Sequence, residues 1–118
     1  MYYSHHEIAS NQIVEGIKIK VTRQEDSMQM TELELQKGAR LPEHMHRSDH
    51  SGYILKGKIR MFIDGMPCEM VMGDSWCIGK NICHYTEALE DSVVIEVFDI
   101  RLENIQTIQL VAEPEQTM

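Results

Sequence analysis

The stretch from residue 38 to residue 57 is Gly38-Ala-Arg-Leu-Pro-Glu-His44-Met-His46-Arg-Ser-Asp-His50-Ser-Gly-Tyr-Ile-Leu-Lys-Gly57, and it contains three of the six histidines of the chain. On an extended strand His44 and His46 point to the same side, and His50 can turn to that side if the chain stays extended. A fourth histidine, His84, follows far downstream. Three clustered imidazoles and one distant imidazole predict a metal site whose ligands are brought together by folding.

Length and charge limit what the protein can be. The 118 residues are enough for one domain with one core. The net charge of −8 argues against a nucleic-acid partner, which needs a basic face. No apolar run approaches the roughly 20 residues of a membrane helix, and no signal peptide is recognised at the N-terminus. A cytoplasmic protein with no membrane partner is therefore expected.

Short segments of alternating apolar and polar residues recur about every ten residues, with turn residues such as Asp64-Gly65 between them. This pattern predicts an all-β sandwich or barrel in a single domain. The apolar residues spaced along 101–112 suit either a helix or a strand, and the tail 113–118 is expected to be flexible. The predicted strands span residues 13–22, 28–35, 52–56, 58–63, 66–72, 75–78, 85–89 and 93–100.

The histidine-rich stretch resembles the first sequence motif of the cupin family. Its spacing is Gly38, five residues, His44-x-His46, three residues, His50, six residues, Gly57. Cupins usually have Glu, and sometimes Gln or His, at the position of His50. With His50 in that place the predicted ligand set consists of histidines alone.

The second cupin motif is present in altered form. Gly73 and His84 occupy the expected positions, whereas Gly79, Asn81 and Ala88 replace the usual Pro, Gly and Asn. The resemblance extends over residues of about 28–100, the expected core of a domain spanning 1–112.

This resemblance implies a small single-domain cupin β-barrel, a jelly-roll-like double-stranded β-helix that is open at one end. A divalent transition metal (Zn, Ni, Fe, Mn or Cu) would lie inside, held by His44, His46, His50 and His84. Cupins of this size often form homodimers by lending an N-terminal strand to the partner, and the first twenty residues could do so here.

A narrower resemblance links residues 52–57, 73–76 and 84–98 to the pectin-degradation cupins of the KdgF type. It implies an enzyme that linearises 4,5-unsaturated uronate monosaccharides to keto-uronates. In that family an acidic residue and a Phe on the last strand, followed by an Arg, line the site. The corresponding catalytic candidates are Glu96, Phe98 and Arg101, although Arg101 comes one residue early and the family's Ser-Pro-Pro-Arg is absent.

Several residues have competing interpretations. Both faces of the strand around Glu96 are apolar, so Glu96 could face the metal and move a proton or lie outside in solvent. Arg60 and Trp76 are candidate substrate-binding residues, but Arg60 could belong to a solvated face and Trp76 to the core. Asp49 could orient a ligand imidazole or be exposed.

Three functions remain open at this point. The first is a metal-dependent enzyme of isomerase or lyase type acting on a small sugar-derived or carboxylated substrate. The second is a metal-dependent dioxygenase on the same scaffold. The third is a non-catalytic cupin that binds or senses a small ligand, since a fold does not determine a function.

Overall fold

Alternating side chains on β3 (Met28–Leu35) show how this sequence becomes a sheet. Leu33 and Leu35 are buried, whereas Met30 and Glu34, on the opposite face of the strand, are exposed. A computed structural model describes residues 2–24, 27–99 and 109–110, and it contains a short 3₁₀ helix at His5–Glu7. The other strands are β1 (Asn11–Val14), β2 (Ile17–Gln24), β4 (Arg40–Met45), β5 (His50–Lys56), β6 (Lys58–Ile63), β7 (Met66–Val71), β8 (Ser75–Ile78), β9 (His84–Ala88), β10 (Ser92–Asp99) and β11 (Gln109–Leu110).

The strands form two antiparallel sheets that enclose one hydrophobic core. The first sheet has the order β1-β2-β3-β10-β5-β8 and the second has the order β11-β4-β9-β6-β7. Core residues come from both sheets, for example Val94 and Ile54 from the first and Ile59 and Met61 from the second. The predicted all-β, jelly-roll architecture is thereby confirmed. Within the described residues, no helix has the length and apolarity needed to cross a membrane.

The inward-facing side chains change from apolar to polar along the strands. On β3 they pass from Leu35 and Leu33 to polar side chains, and on β9 they pass from Ala88 to polar side chains. The strand registers place all the polar positions at the same end of the sandwich. That end buries Gln29, Thr31, His44, His50, His84, Thr86 and Glu96.

The chain passes from one sheet to the other at Gly57, between β5 and β6. Gly57 has φ +92°, and a side chain there would collide with Ser92 and its neighbour. The Ser92 hydroxyl accepts a hydrogen bond from the Lys58 N–H (3.0 Å) and donates to the Glu90 carbonyl (2.8 Å). The last glycine of the histidine-rich stretch therefore forms a corner that only glycine fits.

Most predicted strands agree with the structure, and 28–35, 58–63 and 75–78 agree at both ends. The single strand predicted at 13–22 is wrong, because Gly16 with φ +81° makes a turn that divides it into β1 and β2. In this single chain β1 pairs with β2. Of the ambiguous segment 101–112, only Gln109–Leu110 is described, as a strand, and the tail 113–118 lies outside the described residues.

We predict that Gly52→Ala destabilises the fold by about 1–3 kcal/mol, because the added Cβ would overlap the indole ring of Trp76 and overpack the core. Urea unfolding measures the change in the free energy of unfolding. Gly79→Ala is the matched control: its Cβ would lie 3.9 Å from the nearest atoms, so its effect stays within about 0.5 kcal/mol. Equal stability of the two variants would contradict the packing of Trp76 on Gly52.

Candidate functional site

His44 and His84 face each other across the β4–β9 pair, where they are direct partners in the register. Their ring centroids lie 4.2 Å apart and each residue is only 2% exposed. Each ring donates its Nδ1–H to the carbonyl two residues earlier, His44 to Pro42 (2.8 Å) and His84 to Ile82 (2.9 Å). These bonds fix the tautomer and leave each Nε2 with a lone pair, as a metal ligand requires.

His46 is positioned by the loop that leads into β9. The Asn81 N–H donates to the His46 carbonyl (2.7 Å), and the Lys80 N–H donates to Asp49 Oδ1 (3.0 Å). The loop after β4 is thus tied to the loop before His84. Asp49 is exposed, and its carboxylate accepts a hydrogen bond from the backbone N–H of Lys80. These contacts give no support to the alternative that Asp49 orients an imidazole.

His44, His46 and His84 form a compact set of possible metal ligands. One ring nitrogen from each lies within 4.8 Å of the others, and all three residues are buried. Among the described residues, His84 Nε2 is buried and has no hydrogen-bond partner. An unpartnered lone pair inside a protein is unfavourable unless a ligand satisfies it, so these residues fit a bound metal ion.

Burial keeps these imidazoles neutral. Desolvation, reinforced by the neighbouring histidines, lowers the pKa of His46 to about 3 and the pKa of His84 to about 4. Desolvation also lowers the pKa of His44, although its bond to Pro42 acts in the opposite direction. Neutral imidazole is the form that binds a metal, so the site is ready to bind at physiological pH.

His50 lies beside this set and connects it to Glu96. Its ring centroid is 4.8 Å from that of His46 and 5.3 Å from that of His84, and its ring stacks on Phe98 at 4.9 Å. His50 Nε2 lies 3.6 Å from Glu96 Oε2. The structure brings all four predicted histidines to one place, but His50 is outside the compact set of three. Its role as fourth ligand stays a prediction.

Glu96 points inward. It is 8% exposed and shares the inner face of β10 with Val94 and Phe98, whereas Val97 is exposed on the outer face. Burial acts to raise the pKa of Glu96, but contact with His50 and the other nearby histidines outweighs burial and lowers it. Glu96 is therefore an ionised carboxylate at neutral pH, in the form that accepts a proton.

Phe98 closes the site toward the open end of the sandwich. Its ring lies 4.7 Å from that of His46, and Phe98 and His50 border a depression of about 520 Å³ at the rim. This volume is in the range of small-molecule sites. Arg101, the third catalytic candidate on this segment, lies outside the described residues.

The two candidate substrate-binding residues, Arg60 and Trp76, lie in different parts of the sandwich. The alternation of β6 buries Ile59 and places Arg60 on the outer face, where its Nη2 lies 2.8 Å from Glu69 Oε2. That hydrogen bond raises the pKa of Arg60. Of the two interpretations of Arg60, the structure places the side chain on the solvated face.

Trp76 is a core residue. It is 8% exposed, and its ring lies against the Gly52 α-carbon and borders a small internal cavity shared with His44 and Glu96. Since the ring fills the space above a glycine, packing explains its position. This position agrees with the core interpretation of Trp76 given above as the alternative to substrate binding.

Sequence reasoning missed two polar residues of the site, Gln29 and Thr31. Both lie on β3, where they are 6% and 2% exposed, and their register partners on β10 are Phe98 and Glu96. A signal was available: both continue the inward phase of Leu33 and Leu35 in an alternating strand. A polar residue in a core phase indicates a site or a satisfied hydrogen bond.

Comparisons with known proteins agree with this geometry. The model of the Cupin domain family matches residues 31–101. The pectin degradation protein KdgF of Dickeya dadantii (strain 3937) is 29% identical over 99 residues, which cover 82% of this chain and 90% of that protein.

Solved structures show the same architecture. KdgF from Halomonas sp. matches with a TM-score of 0.78 and 25% identity, covering 84% of this chain and 92% of that chain. Oxalate decarboxylase of Bacillus subtilis, a protein with Mn(II) centres, matches with a TM-score of 0.83 and 16% identity, covering 98% of this chain and 33% of that chain. The latter likeness shows the fold alone.

We predict that the metal-free protein loses stability as the pH falls from 6.5 toward 4. His46 and His84 have pKa values of about 3 and 4 in the folded state against 6.5 in the unfolded state. The unfolded chain therefore binds protons that the folded chain does not, which costs about 1–2 kcal/mol for each histidine at pH 5. Urea unfolding in the presence of a chelator at pH 8 and pH 5 measures the difference. The His46→Gln variant should show a smaller difference, and equal stability of the wild-type protein at both pH values would contradict the prediction.

Proposed function

The chain belongs to the cupin family, and we propose that it is a metal-dependent enzyme that opens a 4,5-unsaturated uronate monosaccharide to the linear keto-uronate. The observation that carries this proposal is the buried Glu96 carboxylate beside a cluster of buried histidines. A carboxylate held there is an acid–base group next to a Lewis-acid site. The relatives named KdgF and associated with pectin degradation support a uronate as substrate.

His44, His46 and His84 would hold the metal, with His50 as a fourth ligand. The neutral rings of His44, His46 and His84, and the lone pairs directed by the bonds to Pro42 and Ile82, suit a divalent transition metal such as Zn, Ni, Fe, Mn or Cu. When bound, such a metal supplies Lewis acidity that polarises a substrate oxygen.

The proposed reaction is an isomerisation that needs one proton to move. In the cyclic substrate the ring oxygen joins the anomeric carbon to C5, and C5 is doubly bonded to C4. Opening removes the proton of the anomeric hydroxyl, breaks the bond between C1 and the ring oxygen, and leaves an aldehyde and an enol. The enol becomes a ketone when its own proton is lost and C4 gains a proton. No atom is lost and no oxidant is required.

Glu96 is placed to move these protons. Its carboxylate is ionised and buried, so it can accept the hydroxyl proton and return a proton to C4 without competition from bulk water. His50 lies beside this carboxylate, with its Nε2 3.6 Å from Glu96 Oε2. Phe98 packs on His50 and His46 and shields them from solvent.

Other predictions from the sequence complete the proposal. We propose a single domain over residues 1–112, a homodimer and a cytoplasmic location. Arg101 is proposed to bind the substrate carboxylate by an ion pair.

We predict that protein produced without affinity resin, and reconstituted, binds about one divalent metal ion per chain. His84→Ala should lower metal affinity by more than about a hundredfold, since changes to residues that only support metal ligands already cost ten- to hundredfold. Elemental analysis and calorimetric titration measure both quantities. His6→Ala, at an exposed residue, is the control, and His50→Gln tests the fourth ligand. Absence of metal from the reconstituted wild-type protein would overturn the proposed function.

We predict that Glu96→Gln lowers kcat by roughly 10²–10⁴-fold, because the amide keeps the shape of the side chain but cannot carry the proton. Loss of the ultraviolet absorbance of the conjugated C4–C5 double bond follows the reaction. The metal content of the variant should match that of the wild-type protein.

Glu34→Gln is the matched control, since Glu34 lies exposed on the outer face of β3. A wild-type rate for Glu96→Gln would exclude Glu96 as the proton carrier. A wild-type protein no faster than buffer would exclude the uronate substrate.

A further inference from the structure

The amide of Gln29 is a buried polar group with unused hydrogen-bonding capacity. Gln29 is 6% exposed, and its Nε2 donates to Thr31 Oγ1 at 2.9 Å. Its Oε1 is buried and accepts no hydrogen bond from the described residues. A buried acceptor without a donor is unfavourable, so such an atom in a native structure indicates a ligand or a bound water.

Gln29 lies on the inner face of β3, at the polar end of the sandwich. Its register partner on the neighbouring strand β10 is Phe98, and the register partner of Thr31 on the same strand is Glu96. The ring of Phe98 in turn stacks on His50. The amide is therefore one strand away from the proposed proton carrier and is held in position by Thr31.

The chemistry of the neighbours determines what can bind Oε1. Phe98 offers no donor, and the Glu96 carboxylate offers only acceptor oxygens. A hydrogen-bond donor that enters with the ligand can pair with Oε1 and displace a bound water. A sugar hydroxyl is such a donor, whereas an ionised dicarboxylate without hydroxyl groups presents only acceptors.

We propose that Gln29 Oε1 accepts a hydrogen bond from a hydroxyl group of the substrate, so that the site selects hydroxylated carbohydrate acids over hydroxyl-free dicarboxylates. This inference rests on the proposed function and adds a specificity-determining residue to it. A site built to bond a hydroxyl rejects an analogue that lacks it, because the buried polar atom is then left unpaired.

The test uses the metal-reconstituted full chain and the Gln29→Met variant, which keeps the length of the side chain and removes the amide. With the 4,5-unsaturated galacturonate as substrate, KM should rise roughly tenfold while kcat stays within about twofold. Calorimetric binding of D-galacturonate should weaken by a similar factor. Metal content and the thermal midpoint should stay close to the wild-type values, and Gln12→Met, exposed on β1, should leave every value unchanged.

A second arm identifies the hydroxyl. Wild type and Gln29→Met are compared on the 2-deoxy and 3-deoxy forms of the unsaturated uronate. For one of these forms the two proteins should have the same KM, since the amide and the hydroxyl act as one pair. If Gln29→Met fails to fold, Thr31→Val replaces it, because loss of the Thr31 acceptor frees the amide and should also raise KM without changing kcat.

The outcomes separate the two proposals. An active wild-type protein whose KM is unaffected by Gln29→Met overturns the inference about Gln29 and leaves the proposed function intact. The inference is also overturned if Gln29→Met raises KM on both deoxy substrates by the same factor as on the unsaturated uronate itself. A wild-type protein that neither binds galacturonate nor converts the uronate overturns the proposed function and the role of Gln29 with it.

Discussion

Burying four imidazole rings beside a carboxylate is unfavourable unless their polar atoms are satisfied, and much of the structure around them meets that requirement. His44 and His84 give their Nδ1 protons to nearby carbonyls, whereas the ring nitrogens of His50, beside Glu96, have no hydrogen-bond partner among the described residues. What remains is a set of lone pairs directed at a common space. A metal ion is the partner that satisfies several of them at once, which is why the site fits one.

The sandwich supplies this space by dividing its interior. One end is closed by Leu33, Ile54, Ile59 and other apolar residues, whereas the other end contains the polar set. Paired strands align residue by residue. The positions at which their inward side chains change from apolar to polar therefore lie side by side and form one polar layer. The apolar end provides the stability that lets the polar end keep unpaired groups.

Prediction from the sequence succeeded where the spacing of residues is compatible with only one structure. The alternation at 28–35 predicted β3, and the intervals between His44, His46 and Gly57 indicated the cupin fold. It failed at 13–22 because a turn through Gly16 cannot be distinguished from a continuous strand by alternation alone. It was correct in placing the four histidines together, and it missed Gln29, which no motif contains.

The sequence by itself determined the fold class and the histidine cluster, since both follow from periodicity and from motif spacing along one chain. Only the tertiary structure decided which way Glu96 and Arg60 point. Both faces of β10 are apolar, so the inward side of Glu96 depends on the neighbouring strands β3 and β5 and on the opposite sheet. Arg60 is likewise outward because Ile59 and Met61 fill the core. The position of His50 between the other histidines and Glu96 also depends on packing, since no interval in the sequence encodes a distance between strands.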